Sequence, residues 1–243
     1  MFEVAVVPEL SIGTLDYLKA RIRMQVSSEH ELTFRKHACA KEPWTVEFVE
    51  SVQGGVFYDL GANVGSYTLV SIANGNQTVA FEPGFANYAA LCRNLVLNQW
   101  LDRALVFPVA IGAQNGMVWF QYRDLMPGAA SHVLGQPSNN ADKPLFFHRQ
   151  AVQLWKLDDI IKFGQLPLPT HLKIDTDGGE MGVLEGAAET LKVVRAIMLE
   201  MKPDDEPKMV KSLGELGFEL KGRWDERGGK KIGVAYGYFL KPN

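Results

Sequence analysis

The stretch Val56-Phe57-Tyr58-Asp59-Leu60-Gly61-Ala62-Asn63-Val64-Gly65 decides the fold. Its first five residues form a mostly apolar run that Gly61 ends, and Val64 to Ala73 then spaces its apolar residues as a short helix with one face to cover. A strand passed through a glycine turn into a helix opens an α/β unit. At the carboxyl edge of a parallel sheet, such a turn lets the main chain approach a ligand while the next helix offers free N–H groups. In isolation the same glycines also suit a plain tight turn.

Working outward, the next unit is Thr78-Val79-Ala80-Phe81, closed by Glu82-Pro83 and followed by an amphipathic helix through Tyr88, Leu91, Leu95 and Leu97. Leu105-Val106-Phe107 and Val109-Ala110-Ile111 predict a third strand interrupted by Pro108, and Met117 to Tyr122 an added strand or hairpin arm. Asp124 to Pro144 is dense in Pro, Gly, Ser and Asn, which predicts a long irregular loop of the kind that forms lids. The pattern resumes with a strand at His171 to Asp175, a helix from Glu180 to Val193, a strand at Ala196 to Glu200 and a helix from Asp205 to Leu216. Phe218-Glu219-Leu220 and Gly233 to Leu240, separated by the polar stretch Trp224 to Lys231, predict a hairpin-like antiparallel ending. The alternation implies an α/β fold with a mostly parallel sheet and helices on both faces. Residues 1–52 carry helical patterning through Leu15, Leu18 and Ile22 and read as an N-terminal helical cap; residues 53–243 read as one compact unit.

Composition narrows the function. A chain of 243 residues, 47% hydrophobic, is long enough for one large core. Lys+Arg 25 against Asp+Glu 28 leaves a formal charge of −3, so no global field favours a polyphosphate partner and nucleic acid is disfavoured. Cys39 and Cys92 show no metal-ligand spacing, which suits a reducing, cytoplasmic setting. Met1 to Val7 lack the features of a secretory leader, and no run approaches the roughly 20 apolar residues of a membrane span. A soluble protein without a membrane partner is expected. Nothing in the patterning sets an oligomeric state.

The turn also discriminates between cofactors. A nicotinamide fingerprint requires G-x-G-x-x-G, whereas Asn63 holds the second glycine position and Asp59 precedes the turn. An acid there repels a pyrophosphate and suits the ammonium of the methionyl part of S-adenosylmethionine. Glu82, at the end of the next strand, is placed to accept hydrogen bonds from ribose hydroxyls.

Tyr58 to Gly65, Ala80-Phe81-Glu82-Pro83, Val109-Ala110-Ile111-Gly112, Leu157-Asp158-Asp159 and Leu172-Lys173-Ile174-Asp175-Thr176-Asp177-Gly178 together resemble the FkbM-type methyltransferases, in that order, from about Val56 to Lys202. The resemblance implies a Rossmann-like methyltransferase fold whose final strand is antiparallel, with S-adenosylmethionine as cofactor. It also implies O-methylation, commonly of sugar hydroxyls or natural-product intermediates. Carried over by position, Gly61, Asn63 and Gly65 surround the methionyl part, Glu82 the ribose, and Val109-Ala110 the adenine side, with Pro83 also in the cofactor set. Asp59 and Asp175 complete the cofactor set. The family usually shows Val-Glu-Gly-Ala-Glu after the strand aspartate, where this chain has Thr176-Asp177-Gly178-Gly179-Glu180.

For the chemistry, Asp175 ends the fourth strand of the sheet and is the first candidate to orient or deprotonate an acceptor hydroxyl, with cofactor contact as its other reading. Glu200 ends the next strand after the apolar run Ile197-Met198-Leu199, where burial would raise its pKa; capping a helix is the alternative. His132, in the loop, serves as base or substrate contact if the loop closes, or simply lies at the surface. Asp175, Asp177 and Glu180 are close enough to share a divalent ion, but acids at a helix start suit the helix dipole, and no metal is expected. Trp44, Trp119 and Trp155 either line an acceptor pocket or pack. The expected activity is O-methylation of a sugar or small natural product. Ribose 2′-oxygen methylation of RNA, a nicotinamide oxidoreductase and a non-catalytic cofactor-binding module remain as alternatives; no Asp/Asn-Pro-Pro-aromatic motif follows the fourth strand to favour base N-methylation.

Overall fold

The computed structural model describes residues 11–135, 148–227 and 230–242, so Met1 to Val7 lie outside the described residues. Strands β1 (Ile12–Thr14) and β2 (Arg23–Gln25) pair antiparallel where the apolar spacing predicts a helix. Leu15 and Ile22 are buried, but Leu18 is 99% exposed, so that spacing marks the two buried ends of a hairpin loop and no helical face. Among the described residues the first helix is α1 (Glu29–Thr33), where Ser28 Oγ accepts from Glu31 N at 3.0 Å and the Glu31 carboxylate accepts from Ser28 N at 3.1 Å. Helices α2 (Ala38–Lys41) and α3 (Pro43–Glu50) follow. Leu15, Ile22, Trp44 and Phe48 from this N-terminal part share one core with Phe57 and Leu69.

The deciding stretch forms β3 (Val56–Leu60) and α4 (Ser66–Ala73), succeeded by β4 (Gln77–Phe81), α5 (Phe85–Leu97) and β5 (Ala104–Phe107). The predicted third strand is in fact two elements in two sheets. Pro108 supplies no N–H to a ladder, and beyond it β6 (Ala110–Ile111) joins β7 (Gly116–Tyr122), β8 (Val133–Leu134) and β9 (His148–Trp155) in a second sheet of order β6-β9-β7-β8. The predicted Asp124–Pro144 loop thus contains β8, and its residues 136–144 lie outside the described residues.

Next come α6 (Leu157–Gly164), β10 (His171–Ile174), α7 (Glu180–Glu185), α8 (Thr190–Val193), β11 (Ala196–Met201), α9 (Glu206–Glu215), β12 (Glu219–Arg227) and β13 (Lys230–Leu240). The single helix expected over Glu180 to Val193 is broken in two. Gly186 packs on the chain at Gly112, where an added Cβ would lie 2.0 Å from the Gly112 oxygen. Asp158 then restarts the helix by accepting from Glu189 N at 2.9 Å and Thr190 N at 2.8 Å.

The main sheet runs β12-β13-β11-β10-β3-β4-β5. Strands β11, β10, β3, β4 and β5 are mutually parallel, and β13 is antiparallel to both β11 and β12. In the polar stretch expected between the last two strands, Trp224 to Arg227 and Lys230 to Lys231 are strand, with Glu226 opposite Lys231; β12 is an edge strand, so charged residues there stay in water. Phe57 faces one core with Leu69, while Tyr58 and Leu60 face the other with Phe81 and Leu172, as a sheet covered on both faces requires. From β3 the chain steps outward to β4 and β5, then returns to β10 on the other side of β3. The carboxyl ends of β3 and β10 therefore flank a topological switch point, where ligands bind in such sheets.

Candidate functional site

The turn after β3 is held by its neighbours on both sides. Gly61 has φ +80°, and a Cβ there would lie 1.9 Å from the Asp175 main-chain oxygen, so only glycine fits. Gly61 N and Ala62 N both donate to Phe81 O at 3.0 Å. Asn63, with φ 53°, presents its N–H to Glu82 Oε2 at 2.8 Å, and Gly84 N donates to Glu82 Oε1 at 2.8 Å. A cleft of about 930 Å³, counting its open mouth, is lined at this point by Gly61, Asn63, Glu82, Pro83, Ala110 and Asp175. Burial pushes the Glu82 carboxyl up to about 7, against the two backbone N–H groups that favour its charge. Gly65 is not on the cleft wall; an added Cβ would meet Leu91 Cδ1 at 2.3 Å, so this glycine serves close helix packing.

Asp59 is not on the wall either, which corrects its expected contact with a ligand ammonium. The residue is fully buried, with Oδ1 at 3.1 Å from Lys173 Nζ and Oδ2 accepting from Thr68 Oγ1 at 2.7 Å. Lys173 is 3% exposed, sits 3.6 Å from Asp175 Oδ2 and lies over the Tyr67 ring at 5.5 Å. Burial opposes its charge, but the Asp59 and Asp175 carboxylates outweigh that and hold its pKa above the ordinary lysine value. A buried cation thus links the acid beneath the turn to the acid on the cleft wall. The sequence signal for it was a lysine inside the apolar run Leu172-Lys173-Ile174; its partner is set by register, since Lys173 stands opposite Asp59.

Asp175 lines both this cleft and a second, adjoining cavity. His132 also borders both; its Nδ1 lies 3.3 Å from the Arg123 N–H, and burial pushes its pKa down to about 4. Glu200 lines only the adjoining cavity, where burial and the charges of Asp175 and Glu180 push it up to about 9. Glu180 is occupied within its own loop, accepting from Thr176 N at 2.8 Å and Gly178 N at 2.9 Å. Trp44 stacks on Trp224 with centroids 5.8 Å apart, Trp119 lies under the Arg149 guanidinium and Trp155 packs on Phe163; none of these tryptophans lines either cavity.

The loop over the cleft is tied down by residues from separate elements. Ala129 O accepts from Asn63 Nδ2 at 2.8 Å and from Asn87 Nδ2 at 3.2 Å, and Gly128 N donates to Asn87 Oδ1 at 2.8 Å. Arg35 Nε donates to Gly128 O at 2.7 Å, while Ser131 N donates to Asp177 Oδ2 at 2.8 Å. Arg35, Asn87 and Asp177 were not legible as loop partners, because each lies far from the loop in sequence.

A sheet of this order, with an antiparallel β13 and a glycine turn at the switch point, defines a Rossmann-like methyltransferase fold. The chain belongs to the FkbM methyltransferase family, whose domain model matches residues 59–220. The hexuronic acid methyltransferase AglP of Haloferax volcanii is 24% identical over 168 residues, covering 68% of this chain and 63% of that protein. A methyltransferase FkbM from Methylobacillus flagellatus superposes with TM-score 0.54 at 16% identity, over 77% of this chain and 44% of that one. The tRNA M1A22 methyltransferase TrmK of B. subtilis gives TM-score 0.50 at 11% identity, over 84% of this chain and 66% of that one, a likeness of fold. The chain therefore spans less than two thirds of AglP and less than half of the M. flagellatus protein. No helix among the described residues is long and apolar enough to cross a membrane.

Proposed function

We propose that the protein is an S-adenosylmethionine-dependent O-methyltransferase acting on a hydroxyl of a saccharide. The observation that carries this reading is the junction at Asp175, which borders both the glycine-turn cleft and the second cavity, so that a donor and an acceptor can meet at one carboxylate. The chain's own groups fit the donor: Gly61 and Asn63 hold left-handed backbone that lets the main chain approach closely, and Glu82 offers a carboxylate at the strand end. When bound, S-adenosylmethionine supplies a methyl group on a positively charged sulfur. The sugar acceptor is supported by the family and by the relative that acts on hexuronic acid.

Among the three candidate bases, Asp175 takes the acceptor proton. Glu200, pushed up to about 9, is protonated at neutral pH and lines only the adjoining cavity, and the His132 Nδ1 lone pair is taken up by the main-chain N–H of Arg123, so neither competes. Asp175→Asn is expected to lower kcat about 100-fold, at the lower end of general-base effects, while leaving the affinity for S-adenosylhomocysteine nearly unchanged. A variant of undiminished kcat would assign the proton to another group.

Calorimetric titration with S-adenosylhomocysteine, with NADH as control, tests the donor assignment; micromolar binding of the former alone supports it, and binding of NADH alone overturns it. The pH dependence adds a signature of Glu82. Its folded pKa of about 7 lies above the ordinary value 4.5, so in the free protein its stabilising effect is complete below the ordinary value and is lost as pH rises through about 7. Ribose hydroxyls donate to the ionised form. Affinity for S-adenosylhomocysteine should therefore rise between about pH 6 and pH 8 with proton release, and Glu82→Gln should flatten the profile.

A further inference from the structure

The second cavity continues from the donor cleft past Asp175 and His132, and its charges are unevenly matched. Its acids are spoken for. Glu42 pairs with Arg227 and accepts from Tyr67 Oη at 2.8 Å, and Asp175 faces Lys173 at 3.6 Å. Asp177 accepts from the Ser131 and His132 N–H groups, and burial, then the Asp175 charge, push it up to about 6; Glu200, at about 9, is protonated at neutral pH.

The cations are not matched in the same way. Arg35, Arg123 and Lys202 line this cavity, and among the described residues none of the three makes a side-chain ion pair. Two of them are positioned by main-chain contacts: Arg35 Nε donates to Gly128 O at 2.7 Å and Lys202 Nζ to Asp177 O at 3.2 Å. The main-chain N–H of Arg123 donates to the His132 ring, which fixes the backbone there, and its side chain lines the cavity. Three cations from separate parts of the chain converge around the loop that borders the acceptor side. Arg123 is exposed and Arg35 and Lys202 are half-buried, so all three are reachable; a neutral sugar gains only ordinary hydrogen bonds from them, whereas an oxyanion gains charge-assisted ones.

We infer that the acceptor is an acidic saccharide whose oxyanion, a carboxylate or a phosphate, is held by Arg123 and Lys202 with Arg35 beside them. This rests on the methyl-transfer reading above, because it names the substrate class of the same site. The anion orients the sugar ring at the cavity mouth so that a hydroxyl reaches Asp175.

The test is binding to protein preloaded with S-adenosylhomocysteine. Methyl glucuronide carries a carboxylate, glucose 1-phosphate a phosphate, and methyl glucoside neither. One of the acids should bind at least about tenfold tighter than methyl glucoside, and which one does identifies the anion. Arg123→Gln and Lys202→Gln should each reduce that preference, and the double variant should remove it, with the affinity for S-adenosylhomocysteine retained as proof of an intact fold. Equal binding of all three sugars, no binding of either acid, or a preference that survives both substitutions overturns the inference. Failure of S-adenosylhomocysteine to bind the unaltered protein instead overturns the methyl-transfer reading, and is scored separately in the same titration.

Discussion

Lys173→Met is expected to destabilise the protein by about 3–5 kcal/mol, the usual consequence of removing one partner from a buried ion pair. For a domain of this size that corresponds to a fall in Tm of roughly 6–20 °C. Asp59 is fully buried and Lys173 is 3% exposed, so solvent cannot replace the lost cation. The variant leaves the Asp59 and Asp175 carboxylates beneath and beside the glycine turn with no positive charge between them. Thr68 Oγ1 still donates to Asp59, which offsets only part of the loss. Adding Asp59→Asn should restore some stability, because the orphaned charge is then removed as well. Thermal and urea unfolding of the three proteins measures this; a Lys173→Met protein as stable as the parent would mean that the buried pair contributes nothing net.

Glu82→Ala is expected to abolish measurable binding of S-adenosylhomocysteine while the protein remains folded. On the proposed reading the carboxylate accepts two hydroxyl hydrogen bonds, each worth about 1.5–3 kcal/mol when the acceptor is charged, so the affinity falls on the order of 1,000-fold. The same side chain holds the Asn63 and Gly84 N–H groups at 2.8 Å, so its removal also frees the turn that shapes the cleft. Water entering the open cleft can take up those N–H groups, which is why the fold survives. Circular dichroism establishes the folded state, and calorimetry reads the affinity; near-normal binding by a folded Glu82→Ala protein would refute the pocket assignment.

The turn at Gly61 to Gly65 and the strand-end Glu82 are legible because they are short and local, and Gly61, Asn63 and Glu82 line one cleft. Gly61 and Gly65 nevertheless part company: one borders the cleft and the other packs on Leu91, a distinction that depends on which neighbour each meets. Pro108 reads as an interruption in the sequence, yet only the second sheet shows that the chain changes layers there. Leu15, Leu18 and Ile22 imitated a helix because two buried positions flanking a short hairpin loop can fall at helical spacing by accident.

By itself the sequence determined the α/β alternation, the glycine turn, the antiparallel ending and the family, since each is written in contiguous stretches whose patterning follows from local backbone geometry and burial. Tertiary structure alone decided the chemistry around the turn. Strand register put Lys173 opposite Asp59 and so turned an expected ligand contact into a buried ion pair. The fold brought Arg35, Arg123 and Lys202 to one cavity. Charge interactions depend on distance and solvent exclusion, and neither quantity exists in a chain until residues far apart in sequence are packed together.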